Sequence, residues 1–338
     1  MRRHLTPAKI AGAVVFLLLV TLGALWLAPS SDYILLPDRA HPVAPLVRVQ
    51  GGHDPRGKGG IFFVDVFERR ASELESIFPW IHHGATLVPA KLLVPPGESD
   101  QAVRQADLRA MQVSQQIAAA VALRKLGYRV AAKPSGVVVN EIETESHANG
   151  VLHPGDVIVA VNGVATPTVL SLRHEIDKFS PGDTVTLRVT RGNEKQIVSV
   201  KTIADPLHKG RAIVGFSPDQ AADIKLPLNV QIDAGNVGGP SAGLAFTLEV
   251  LAELGHDVTH GYNVAATGEI ALDGRVGAIG GIKQKTYGVK DAGADVFLVP
   301  VDGRNAADAR RYAGGLKIIP VTSFSQALRA LAKLPPKR

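Results

Sequence analysis

The sequence predicts an α+β protein with one membrane-spanning helix at its start. Three observations carry this: a charge-free apolar run at residues 10–28, a compact β-rich stretch over 135–203, and strand and helix patterns on both sides of that stretch. At 338 residues the chain is too long for one ordinary small core, so two or three domains are expected.

The run IAGAVVFLLLVTLGALWLA at 10–28, as a helix rising 1.5 Å per residue, reaches about 29 Å, one hydrocarbon core. The alternative is a cleaved signal peptide. Trp26-Leu27-Ala28 offers it a poor cleavage site, a cut after Ser30 a better one. The length of the run favours an uncleaved anchor. Arg2, Arg3, His4 and Lys9 stand ahead of it with no basic residue close behind, so residues 1–9 are placed in the cytoplasm and everything beyond about 30 outside the membrane.

Residues 29–60 are rich in Pro and Gly, with a short strand at PLVRV. IFFVDVF (61–67) and ATLVPAKLLV read as strands from their β-branched and aromatic content. A long helix starts at Asp100, keeps Met111, Ser114, Ile117, Ala118 and Val121 on one face, and closes at Leu126-Gly127. In the β-rich module, SGVVVNEI and DVIVAVNG are strands, VLSLRHEIDKF is a helix, and TVTLRVTRGNEKQIVSVKTI is a hairpin turning at Gly192-Asn193. Beyond Asp205 come the strand LNVQID, a loop, a helix over 240–254, and the strand YNVAATGEI. A helix from about Lys283 to Ala292, the strand DVFLVP, a helix near 304–313, the strand KIIPV and a helix from Ser323 to Leu331 complete the order.

With 46% hydrophobic and 20% charged residues, the chain is globular rather than disordered. Its net charge of +6 is spread along the sequence with no basic stripe interleaved with aromatics, which argues against a nucleic-acid partner. The absence of cysteine removes disulfides, thiolate zinc sites and a Cys nucleophile, and fits an exported protein. No metal or cofactor is expected. GHDPRGKG (52–59) has the spacing of a phosphate loop, but Gly59 replaces the Ser or Thr that would hold magnesium and a strand follows where a helix is needed.

NVGGPSAG (236–243) places a serine between glycines ahead of a long apolar helix. A Ser–His–Asp triad fails on reach, because His256 and His260 lie at the far end of the helix that Ser241 starts, some 20 Å away. What remains is a serine at a helix N-terminus, where Gly239 and Pro240 let backbone amides and the helix dipole face a developing oxyanion. Such a serine needs a base, and a lysine serves if burial lowers its pKa. Lys283 and Lys285, in GAIGGIKQKTYGVK, are the candidates.

VGGPSAGL, ATGEIALDGRVGAIGGIKQK and AGADVFLVP resemble, in order and spacing, the proteolytic domain of Lon proteases. The resemblance implies a Ser–Lys dyad of Ser241 and Lys285, with Thr267 beside the lysine to orient it. On the helix, Lys285 shares a side with Val289 and Ala292, whereas Lys283 is rotated towards solvent. One departure stands out: the family usually has an acidic residue three before the serine, where this chain has Gly238.

GVVVNEI, VLHPGDVIVAVNG and the elements after them resemble a PDZ domain, which implies peptide binding by strand addition. Its carboxylate loop is expected at Gly127, Tyr128, Arg129 and Val130, which depart from the usual G-L-G-F form. The PDZ domain separates a helix and a strand that lie close in Lon, so it is inserted into the Lon-like domain. The expected order is a cytoplasmic N-terminus (1–9), an anchor (10–28), the first Lon-like part (45–128), the PDZ domain (129–205) and the second Lon-like part (206–334). This is the layout of PDZ-containing, membrane-anchored Lon-like proteases. The resemblance implies an ATP-independent serine endopeptidase acting on exported or membrane-associated polypeptides, with a hexameric ring as the family's usual assembly. The competing expectation is an inactive scaffold that binds exported peptides, against which the serine, both lysines and Thr267 argue.

Overall fold

The computed structural model describes residues 7–335 and 337, apart from 54–58, 95–98, 144, 193 and 206–209. Arg2, Arg3, His4, Asn193 and most of the loop 52–59 therefore lie outside the described residues. The first elements are helix α1 (Pro7–Leu27), β1 (Pro29–Pro37), β2 (His41–Pro42), β3 (Gly60–Phe63), β4 (Val66–Ser72), α2 (Glu73–Ile77), β5 (Thr86–Pro89) and α3 (Asp100–Lys125). Next come β6 (Ala131–Ile142), β7 (Val157–Val161), α4 (Val169–Ile176), β8 (Thr184–Arg191), β9 (Glu194–Lys201) and β10 (Phe216–Lys225). The last are α5 (Gly243–Glu253), β11 (Asn263–Ala266), α6 (Ile282–Asp291), β12 (Val296–Pro300), α7 (Asn305–Tyr312), β13 (Lys317–Val321) and α8 (Phe324–Ala332).

The central sheet runs β2-β3-β11-β12-β13, with β3, β11, β12 and β13 parallel and β2 antiparallel at the edge. Every residue of β12 is buried, as expected of a parallel strand covered on both faces. Alternate residues divide between two cores. Val264, Ala266 and Leu298 pack with Phe246 and Leu248 of α5, while Ala265, Phe297 and Val299 pack with Val289 of α6 and Ala309 of α7. The serine loop and the lysine helix thus approach from opposite faces of one sheet.

ATLVPAKLLV is a strand only over Thr86–Pro89, YNVAATGEI is divided after Ala266, and two further changes shape the site. The expected single strand 61–67 is divided: the chain leaves the central sheet after Phe63 and enters a second sheet, β4-β1-β5, at Val66. β1 lies in a segment whose composition suggested only loop. It forms a strand because it pairs on both sides and buries Ile34 completely.

The inserted module has its own core of Val137, Ile158, Leu172 and Leu187 among others. Its sheet runs β9-β8-β7-β6-β10, with Val164–Ala165 beside β7. β10 lies beyond Asp205 and pairs antiparallel with β6 from Phe216↔Ile142 to Lys225↔Ala131. Because Ala131 and Lys225 are partners, the chain enters and leaves the module side by side. Replacing residues 130–226 with a short Gly/Ser linker should therefore retain cooperative unfolding, since loop length adds only about 0.6 kcal/mol per doubling. Replacing 130–204 alone should strip β10 of its partner and lower the melting temperature or cause aggregation, as read by calorimetry and light scattering.

Candidate active site

Ser241 lies in a 3-10 turn, Pro240–Ala242, that leads into α5. Gly239 precedes it at φ 80°, a left-handed conformation that a side chain resists. Helix α3 braces the loop at three levels. Arg104 donates to the carbonyl of Asn236, the Gly239 N–H donates to Asp107 O at 2.9 Å, and Ser114 Oγ donates to Pro240 O at 3.0 Å. From the other side, Thr267 Oγ1 and the Gly268 N–H donate to Ser241 O at 3.1 and 2.8 Å.

Lys285 sits one turn into α6 and is only 4% exposed. Its Nζ lies 2.7 Å from Ser241 Oγ and 2.9 Å from Val64 O. Val64 is at the crossing between the two sheets, so the division of strand 61–67 creates the acceptor that holds the amine. Burial lowers the Lys285 pKa to about 8, opposed by the nearby Asp65 carboxylate. Asp65 itself is raised, first by burial and then by Asp38. Asp38, His41 and Asp65 bring ligand-type atoms within 4.8 Å of one another. A cleft of about 750 Å³ opens over the pair, lined by Asp65, Val66, Glu68, Asp107, Gly238, Ser241 and Lys285 among others.

The sequence brought Ser241 and Lys285 forward, and the structure places them in contact. Thr267 is fully buried but bonds to the serine's carbonyl rather than to the lysine. Gly239 and Pro240 differ from expectation, because the Gly239 N–H is committed to Asp107 and proline has none. Their contribution here is the shape of the turn. Lys283 is half-buried, not solvated, and its Nζ donates to Ala85 O at 2.8 Å. Gly238 has a physical reason: a Cβ there would lie 2.7 Å from Asp107 Cβ. The Cβ and backbone of Asp107 on α3 occupy the space beside the loop that a side chain at 238 would need, a contact no local pattern reveals.

Gly127, Tyr128, Arg129 and Val130 do not line the groove beside α4. They cap α3, with the Gly127 and Tyr128 N–H groups donating to Arg124 O and Leu123 O. That groove lies between α4 and residues 212–218, lined by Leu172, Ile176, Ala212, Val214 and Phe216. There Gly215 has φ 84°, and its Cβ would meet Ser146 Oγ at 2.6 Å. The available signal was AIVGF (212–216), an apolar–Gly–apolar turn before a strand. It stands after the module, whereas the usual position for such a loop is ahead of it.

A family model for the PDZ domain matches residues 124–202, and one for the Lon protease (S16) C-terminal proteolytic domain matches residues 208–333. The chain is 29% identical over 208 residues to Lon protease of Chloroflexus aggregans, covering 59% of this chain and 24% of that protein. It is 32% identical over 124 residues to Lon protease 2 of Bacillus subtilis, covering 36% of this chain and 21% of that protein. The match therefore spans a quarter or less of these relatives. The solved PDZ domain of an SdrC-like protein from Listeria monocytogenes is 27% identical, with a TM-score of 0.23, covering 25% of this chain and 87% of that one. The chain joins a PDZ domain to a proteolytic domain of the Lon (S16) type.

Proposed function

We propose that this chain is an ATP-independent serine endopeptidase in which Ser241 is the nucleophile and Lys285 the general base. The observation that carries the reading is the 2.7 Å approach of a buried lysine amine to a serine hydroxyl inside a cleft. A neutral Lys285 donates one N–H to Val64 O and keeps its lone pair for the Ser241 proton. The serine oxygen then attacks a peptide carbonyl, the ammonium returns the proton to the leaving amine, and water repeats the sequence on the acyl-enzyme. The grip of Thr267 and Gly268 on Ser241 O fixes the turn while charge develops on the substrate oxygen. A fluorophosphonate probe should label the full chain in detergent and fail to label Ser241→Ala. Equal labelling of both would reject the nucleophile.

α1 is 21 residues long, has a mean hydropathy of 2.5 over its most apolar 18 residues and buries none of its residues, enough to cross a membrane by length and composition. We propose that it anchors the chain with the cleft outside the cytoplasm, so that substrates are exported or membrane-associated polypeptides. A reporter active only in the cytoplasm, fused after Arg338, should be silent. The groove between α4 and 212–218 is the proposed site for substrate selection, through an extended peptide added along β10.

A further inference from the structure

Four exposed apolar side chains stand together on the turn after β4. Ile77, Phe78, Trp80 and Ile81 are all exposed, Trp80 by 72%, and the Phe78 and Trp80 rings meet edge-on at 5.2 Å. A contiguous apolar patch of this kind marks a surface made to be covered. The turn is rigidly built. Ser72 and Glu75 form a reciprocal capping box at the start of α2. The buried Glu75 carboxylate accepts from Arg69 at 2.8 and 2.5 Å and lies 2.6 Å from His82 Nε2, tying both ends of the turn to one charge. Arg69 holds that carboxyl well below the usual range.

The place of the turn identifies what covers it. The Glu73 N–H donates to Ala28 O at 2.9 Å, and the Trp26 ring lies 6.3 Å from that of His82. The patch is therefore beside the C-terminal end of α1, at the level where a helix of about 30 Å leaves the hydrocarbon core. It continues the unburied apolar surface of α1. Residues 76–81 carry no charge, and an indole flanked by aliphatic groups suits the bilayer interface.

We propose that the Ile77–Ile81 turn is a second membrane contact, seated in the interfacial layer of the lipid bilayer that α1 spans. This rests on the anchoring reading above and adds orientation to it. One helix followed directly by a strand leaves the domain's tilt unset, and a second point fixes it. β4 then acts as a ruler. Val66 packs at Gly281, where α6 begins, and Ser72 pairs with Pro29 at the end of α1. Six strand steps, about 20 Å along β4, separate its membrane end from the end beside the Ser241–Lys285 pair. The cleft is thereby set to receive polypeptide that emerges from the same membrane, a few extended residues beyond it.

The test uses the full chain in phosphatidylcholine vesicles carrying bromine near the headgroup end of the acyl chains. The sequence has two tryptophans, so Trp26→Phe leaves Trp80 and Trp80→Phe leaves Trp26. Trp80 emission should be quenched by the brominated lipid and shielded from aqueous acrylamide, and deeper bromines should quench it less. Trp26 quenching reports anchoring by itself. If Trp26 is unquenched, the anchor reading has failed. If Trp26 is quenched while Trp80 answers only to acrylamide, the turn lies in water and the proposal is wrong. Protection of Trp80 from both quenchers would place it against protein and also overturn the proposal.

Discussion

Ser241→Ala and Lys285→Ala should each lower peptide cleavage by about 10²- to 10⁴-fold or more, with the fold retained. The two groups act as one unit, so the double variant should be little worse than either single one. Removing the serine hydroxyl leaves the turn intact, because its anchors are backbone groups: Ser241 O to Thr267 and Gly268, and Pro240 O to Ser114. Lys285→Met keeps most of the buried volume and no proton acceptor of use, so it should be folded and inactive. Lys283→Ala should cleave well, since that lysine ties α6 to Ala85 and Thr86 rather than to the serine. The pH profile has a definite sign. Burial depresses the Lys285 pKa to about 8, and only the neutral amine accepts a proton. Activity should therefore rise as pH increases through about 8 and level off above it. A rate that falls over this range, or a live Lys285→Ala beside a dead Lys283→Ala, would reject the assignment.

Gly288→Ala should destabilise the protein by about 1–3 kcal/mol or more and remove activity with it. Within a helix the same change ordinarily gains up to about 1 kcal/mol in propensity. Here a Cβ would overlap Asp38 O and stand 3.1 Å from Val64 Cγ2. The Ala40 N–H also donates to Gly288 O at 3.2 Å, so the backbone of residues 38–40 lies directly on this turn of α6. Relief requires α6 to retreat from Val64, and Lys285 is on the turn before. Denaturant midpoints and peptide cleavage on the same preparation check both effects. A midpoint at or above that of the unaltered protein would show that this contact yields easily.

The parts legible in the sequence were those that short-range chemistry fixes. The uncharged run 10–28 has no partner to satisfy, so its length alone marks α1. The 3.6-residue period of α6 puts Lys285 on the side of Val289, and both are buried. Gly-Pro-Ser before an apolar helix fixes the place of Ser241 on its turn. The strands and helix of the PDZ resemblance occur where alternation and turn residues put them, because a half-buried hairpin encodes its own faces.

Only tertiary structure decided the rest, and the reason in each case is a partner distant in sequence. β1 reads as proline-bounded loop until β4 and β5 pair with both its edges. Gly238 is a departure from pattern until Asp107, more than a hundred residues earlier, fills the space beside it. Gly127–Val130 occupied the customary position for a carboxylate loop, whereas the groove is closed by β10, whose pairing with β6 joins residues 216–225 to 131–142. Such pairings gain their hydrogen bonds and burial only after a long loop has closed. The residues that make them therefore carry no local periodic signature of the partner they meet.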